Sequence, residues 1–361
     1  MQLEGKTGRE RGPGILRVPE SRKVPLTDLH LRQLPPLRPT QHVVPTGRVQ
    51  EFRLTAAPQR WELVKEVWVE AWSFNGEVPG PTIRVTEGDT VRVTVENHLP
   101  VPTSVHWHGL HVPNAVDGVP PMTGHGIAPG QVQAYEFVAN HAGTFMYHSH
   151  LDEIEQVDRG LYGAFIIDPQ DATDQPAYDH DLVMVLSGWT VQESAGDGSP
   201  RPGGHPAAAH AGHGDGTEVA PGDGAPAHGG RPGGHRHDYN YWTINGKSFP
   251  DVPPIKVRYG DWVRLRLINI SQDMHPMHLH GHDFRVIAMD GHPLPQPLIL
   301  NTVNVAPGQT VDIDFTANNP GRWLLHCHIL HHASNNMKAP GGLTAVVEYE
   351  DSLGTSGHGA H

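Results

Sequence analysis

The chain has 361 residues, enough for two domains of ordinary size that each bury a core. Glycine (41) and proline (34) are abundant and only 18% of residues are charged, a mix that predicts an all-β protein with many turns. A net charge of −13 argues against nucleic acid as a partner, and the single cysteine, Cys327, excludes an internal disulfide framework. No apolar run approaches the ~18 residues a membrane span needs, and the N-terminal "MQLEGKTGRERGPG" shows no charged-then-apolar leader pattern. Histidine, at 28 residues, is the outlier.

Residues 1–47 are polar and proline-rich and read as an extended N-terminal arm. A first β domain is predicted over 48–170, from runs such as "VQEFRLTA", "KEVWVEAWSFNG" and "PTIRVTEGDTVRVTVEN". The same grammar returns over 179–350 in "DLVMVLSGW", "YNYWTINGKSF" and "IKVRYGDWVRLRLINI". Within this second domain, 191–238 is an insertion of Gly, Pro, Ala and His whose composition cannot build a core. Residues 351–361 read as a C-terminal tail.

The two β-rich regions align with each other. "EGDTVRVTVEN" (87–97) matches "YGDWVRLRLIN" (259–269), and at the same offset of 172 "SVHWHG" falls on "PMHLHG". "APGQ" (128–131) matches "APGQ" (306–309), and at that offset of 178 "HAGTFMYHSH" falls on "NPGRWLLHCH". The chain is a tandem duplication of one β domain.

Four His-x-His pairs occupy matched places: His106/His108, His148/His150, His278/His280 and His326/His328. In a strand, residues i and i+2 share a face, so each pair presents two imidazoles on one side. Imidazole suits copper, zinc and iron. Eight such ligands exceed the needs of one ion and fit a cluster of three. The C-terminal copy adds His275, Cys327, His332 and Met337. Two histidines, a thiolate and a weak thioether are the ligand set of a blue copper electron-transfer centre. At the offsets of 172 and 178 the N-terminal copy has Thr103, Ser149, Ile154 and Arg159 instead, so it lacks that second site.

"HWHG" (106–109), "HSH" (148–150), "HPMHLHGH" (275–282) and "HCHILHHASNNM" (326–337) resemble the four copper-binding motifs of the multicopper oxidases. The resemblance covers about 48–350 apart from the insertion, and is to the two-domain, laccase-like type. It implies two tandem cupredoxin-like Greek-key β-sandwich domains. It implies four coppers: type 1 on His275, Cys327, His332 and Met337; type 2 on His106 and His278; and a type 3 pair on His108, His148, His150, His280, His326 and His328. It further implies one-electron oxidation of a small phenolic or aromatic reducing substrate, entering at the edge of His275 or His332, coupled to four-electron reduction of O2 to water. An axial Met337 would keep the potential low.

Asp117, Cys327 and His331 are the candidate catalytic residues. Asp117, in "NAVDGVP", matches the family's acidic residue near type 2 copper. Asp152 and Glu153 are further candidates for a proton path. His331 stands where many relatives carry a carboxylate, and either relays protons or fills space. Each domain supplies four cluster histidines, so the cluster must lie where a first domain meets a second. The resemblance places that meeting between subunits of a homotrimer, and implies an extracytoplasmic location. A metallo-oxidase of Cu(I), Fe(II) or Mn(II) would share every ligand. Copper nitrite reductase carries type 1 copper in its first domain, which Thr103, Ser149 and Ile154 oppose, and a non-catalytic copper-binding protein would leave Cys327 without a role.

Overall fold

The computed structural model describes residues 43–173, 176–192, 201–202 and 238–350. Most of the N-terminal arm, most of the 191–238 insertion and the 351–361 tail lie outside the described residues. The strands form two sandwiches. In the first, the sheet Val67–Phe74, Val49–Val64, Thr90–Asn97, Val132–Val138 faces the sheet Gly80–Thr86, Tyr162–Asp168, Gly143–His148, His106–His108. In the second, a six-stranded sheet runs Tyr241–Ile244, His180–Trp189, Trp262–Asn269, Thr310–Thr316, Phe284–Met289, His292–Leu300. It faces the five strands Ile255–Val257, Thr344–Tyr349, Arg322–Cys327, His275–Leu279 and Thr302–Val305.

Alternation explains the sandwiches. In Thr90–Asn97, Val91, Val93 and Val95 point inward and are fully buried, while Arg92 points out to Glu51 and Glu136. The repeated strand Trp262–Asn269 buries Val263, Leu265 and Leu267 in the same way. Between the sheets of the first sandwich lie Trp107, Tyr135, Phe137, Phe145 and Phe165, and between those of the second Phe284, Ile313, Leu325 and Val347. A third core joins the sandwiches: Leu63, Val69, Ala71 and Tyr162 pack with Val185, Trp189 and Ile268. Tyr162 also donates to Ser187 Oγ at 2.8 Å, and Arg266 reaches Thr144 Oγ1 at 2.7 Å. This apolar and polar seam fixes one sandwich on the other within the chain.

The insertion leaves from the end of His180–Trp189 and returns at Tyr241–Ile244, two strands paired antiparallel with Tyr241 opposite Trp189. It therefore interrupts the connection between neighbouring strands, without breaking the sheet. Among the described residues no helix is long and apolar enough to cross a membrane.

Candidate metal centres

Cys327 ends the strand Arg322–Cys327, His275 begins His275–Leu279 and His332 sits in the short turn Leu330–Ala333. The three side chains converge and are buried. Cys327 Sγ is 3.8 Å from His275 Nδ1 and 3.6 Å from His332 Nδ1, and the two nitrogens are 3.2 Å apart. Ligands held ~2.0–2.3 Å from one central ion stand about 3.6 Å from each other in a trigonal set, so the triangle has the size a metal requires. Burial pushes the His275 imidazole down to about 3 and that of His332 down to about 4, so both keep a free lone pair at neutral pH. Burial pushes the Cys327 thiol up to about 12, so only a bound cation would make it the thiolate that a copper site needs.

Surrounding residues orient these ligands. Ser271 Oγ takes His275 Nε2 at 2.7 Å and turns Nδ1 inward. Trp242 stacks on the His332 ring at 4.5 Å. His275 is thus closed to substrate. The remaining outer nitrogen is His332 Nε2, which faces the Asp273 carboxylate at 3.6 Å, and Asp273 is 42% exposed. Met337 departs from the sequence expectation. The residue is 77% exposed, whereas the Cys327 thiol is fully buried. Met337 lies at the tip of a turn closed by reciprocal Asn335–Lys338 backbone hydrogen bonds.

The other eight histidines form two sets. In the first sandwich His106 pairs with His148 across neighbouring strands, and ring centroids of His106, His108, His148 and His150 lie 5.4–6.1 Å apart where they touch. His106 Nδ1–H donates to the Asp117 carbonyl at 3.0 Å, and His148 Nδ1–H to the Ser149 carbonyl at 2.9 Å. These bonds leave Nε2 of each ring for a metal. In the second sandwich His278 pairs with His326, with ring contacts of 4.9–5.9 Å among His278, His280, His326 and His328. His278 Nδ1–H donates to the Asn301 carbonyl at 2.7 Å and His326 Nδ1–H to the Cys327 carbonyl at 3.0 Å, again leaving Nε2 free. Nitrogens converge closely in both sets: His108 Nδ1 to His148 Nε2 at 3.2 Å, and His280 Nε2 to His326 Nε2 at 3.0 Å. Among the described residues, every ring contact of these eight stays within its own sandwich.

Asp117 stands where its carboxylate is 3.3 Å from His106 Nδ1. The turn that puts it there needs Gly118 at φ 74°, because a Cβ would lie 1.8 Å from the Val105 carbonyl oxygen. Glu153 lies 3.6 Å from both His148 Nδ1 and His150 Nε2. His331 is exposed and packs on Trp242 and His332, at 5.3 and 4.3 Å, so it belongs to the surface over the Cys327 site and not to either histidine set. Sequence spacing gave no sign of Ser271, Asp273 or Trp242, whose roles depend on loops folding back over the ligands. It also paired His332 with the wrong residue of the first sandwich. Ile154 is exposed there, and Gln156 occupies the equivalent pocket, accepting from Thr103 Oγ1 at 2.7 Å and Ser149 Oγ at 2.6 Å.

Two multicopper oxidase family models match residues 55–172 and 230–340. A multicopper oxidase of Mycobacterium tuberculosis, MmcO, is 29% identical over 294 residues, covering 75% of this chain and 53% of that protein. Laccase-1 of Cryptococcus neoformans is 31% identical over 277 residues, covering 74% of this chain and 41% of that one. The chain thus spans about half the length of these relatives. The crystal structure of a blue copper oxidase from Nitrosomonas europaea superposes with a TM-score of 0.71 at 35% identity, covering 84% of this chain and 87% of that one. With the ligand geometry, these likenesses show that the chain belongs to the multicopper oxidase family.

Proposed function

We propose that the protein is a laccase-like oxidase that takes single electrons from small phenolic or aromatic reductants at the Cys327 site and delivers four to O2 at a three-copper cluster. One observation carries this reading. Cys327 points into the buried His275–His332 pocket while His326 and His328, its two neighbours, point to the opposite face among the cluster histidines. An electron entering at the thiol is one covalently linked residue away from the O2 site on either side. Bound copper would supply the one-electron redox change at one site and the pooled electrons at the other. His275, Cys327 and His332 would hold type 1 copper. His106 and His278 would hold type 2, and His108, His148, His150, His280, His326 and His328 the type 3 pair. The protein's own groups then manage protons. The Asp117 carboxylate faces the His106 edge, and Glu153 faces His148 and His150.

Each chain carries two half-sets whose rings do not meet, so we assign the complete cluster to the junction of one chain's first sandwich with another chain's second, in a homotrimer. The exposed Leu298, Ile299 and Leu300 support this. They directly precede Asn301 and Thr302, which hold His278, and form an apolar rim beside the open half-set. Sedimentation combined with oxygen uptake is the test. A monomer with full activity would overturn the shared cluster.

Asp273 beside His332 Nε2 also favours a second reading, in which Cu(I), Fe(II) or Mn(II) is the electron donor and the carboxylate holds the cation. Turnover of a methoxyphenol against the three metal ions separates the two. A metal ion preferred by orders of magnitude would displace the laccase reading. The family resemblance also favours an extracytoplasmic location.

A further inference from the structure

We infer that the axial face of the type 1 site is closed by the side chain of Leu343, and that Met337 is not a ligand. The inference rests on the Cys327 site proposed above and deepens it, because the axial group sets how strongly the oxidised metal is stabilised.

The first observation is how firmly Met337 is held away. Asn336 and Met337 adopt φ of 45° and 65°, the left-handed pair of a tight two-residue turn. Asn335 and Lys338 close the turn with two backbone hydrogen bonds of 2.9 Å. The Asn335 side chain anchors it further, donating to the Phe249 carbonyl and accepting from Ser248 Oγ, both at 2.7 Å, and from Gly342 N–H at 2.9 Å. Asn336 N–H donates to the Asn240 carbonyl at 2.7 Å. Bringing the Met337 sulfur to the thiol would dismantle this network.

The second observation is what stands beside Cys327 instead. The antiparallel ladder pairs Leu325 with Ala345 and His326 with Thr344, and its next step sets Cys327 opposite Leu343. Cys327 N–H donates to the Leu343 carbonyl at 3.0 Å, and Leu343 N–H to the His332 carbonyl at 2.8 Å. Residues directly opposite in such a ladder project to the same face as close neighbours. Leu343 is fully buried, as Cys327 is. Gly342 permits the bend between His332 and Leu343 at φ 53°, where a Cβ would come within 2.0 Å of the His332 carbonyl oxygen.

The repeat supplies the third. In the first sandwich Ser149 N–H donates to the Leu161 carbonyl at 3.0 Å, the same bond in the same register, and Leu161 is also fully buried. "GLYGAFIID" from Gly160 therefore matches "GLTAVVEYE" from Gly342, at an offset of 182 where the preceding pairs His148/His150 and His326/His328 hold 178. Four extra residues of the second domain fall between His328 and Gly342, in the loop that carries Met337. Met277 is the remaining thioether beside Cys327, on the strand at its other side. The repeat puts fully buried Val105 at that position of the metal-free pocket, which marks Met277 as core.

The consequence reverses the expectation of a low potential. Without a thioether donor, Cu(II) is less stabilised and the site becomes a stronger oxidant. The copper-loaded protein should be compared with Met337→Leu, Met277→Leu and Leu343→Met by visible absorption, electron paramagnetic resonance and redox titration. The first two variants should keep the blue band, hyperfine splitting and midpoint potential of the wild type. Leu343→Met, a nearly volume-conserving swap, should shift the spectrum and lower the potential. A Met337→Leu variant with altered spectrum or potential overturns the inference even if Leu343→Met does not load copper. A shift in Met277→Leu, or a correctly loaded Leu343→Met indistinguishable from wild type, also overturns it. A wild type that binds copper without any blue band overturns the proposed function itself, and this inference with it.

Discussion

The same pocket occurs twice in this chain with opposite contents. In the second sandwich His275, Cys327 and His332 converge on one point. In the first, Thr103, Ser149 and Gln156 do so, with Gln156 Oε1 accepting from both hydroxyls and Gln156 Nε2 donating to the Pro102 carbonyl at 2.9 Å. The scaffold around them is shared. Asn97 donates to the Val101 and Ile127 carbonyls as Asn269 does to those of Asp273 and Val305. A buried polar pocket must be satisfied. One copy satisfies itself with hydrogen bonds, and the other presents neutral imidazoles and a protonated thiol that a bound metal would complete. The duplication thus kept the pocket and exchanged its occupants.

Exchanging Cys327 for Ser should bring the second pocket closest to the first, and has the largest expected effect. Losing a ligand exceeds the ~10- to 100-fold cost of losing a residue that merely supports one. Cys327→Ser should abolish the blue band and reduce oxygen uptake by more than that, while copper analysis still finds the cluster ions. Persisting blue colour would refute the assignment. Next in size is Asp117→Asn, which keeps the turn but removes the charge beside His106. Oxygen uptake should fall by ~10- to 100-fold with the blue band intact. Unchanged uptake would remove Asp117 from the catalytic set.

In the first pocket the expected effect is on stability alone. Gln156→Leu strips two buried hydroxyls of their shared acceptor, which costs about 1–3 kcal/mol. Urea unfolding should register the loss, and the blue band, in the other sandwich, should not move. A variant as stable as wild type would show that Thr103 and Ser149, whose hydroxyls lie 3.3 Å apart, satisfy each other without Gln156.

These pairs also show what the sequence can disclose. The duplication, the all-β character and the four His-x-His pairs were legible because strand periodicity converts an i, i+2 spacing directly into a shared face. His275, Cys327 and His332 lie on or just after such strands, so constant spacing found them. Met337 and Ile154 were misplaced because constant spacing fails across loops. A helix, Glu153–Asp158, fills the loop of the first sandwich and lifts Gln156 into the pocket, while the longer loop of the second sandwich turns outward at Met337. Ser271, Asp273 and Trp242 come from segments whose proximity is tertiary, and no local pattern announces them.

A last pair lies away from the metals and gives the smallest effect. At offset 178 the first sandwich has His141 and the second Asn319. Asn319 Nδ2 donates to the Gly281 carbonyl at 3.0 Å, and the repeat-equivalent Gly109 carbonyl lies beside His141. The histidine is partly buried, with His111 and His292 rings at 4.6 and 6.0 Å. Burial first, then the like charges of His111 and His292, push its pKa from 6.5 down to about 4. The folded protein therefore resists the proton that the unfolded chain accepts. Between pH 6.5 and about 4 the unfolded state binds more protons, so this site's contribution to stability is complete above 6.5 and declines as the pH falls through that window. His141→Asn installs the residue of the other sandwich, which cannot titrate. Its melting temperature should fall less steeply between pH 6.5 and 4 than that of the wild type. Identical slopes would mean that His141 takes up its proton in the fold as easily as in the unfolded chain, through reorientation of the exposed His111 and His292.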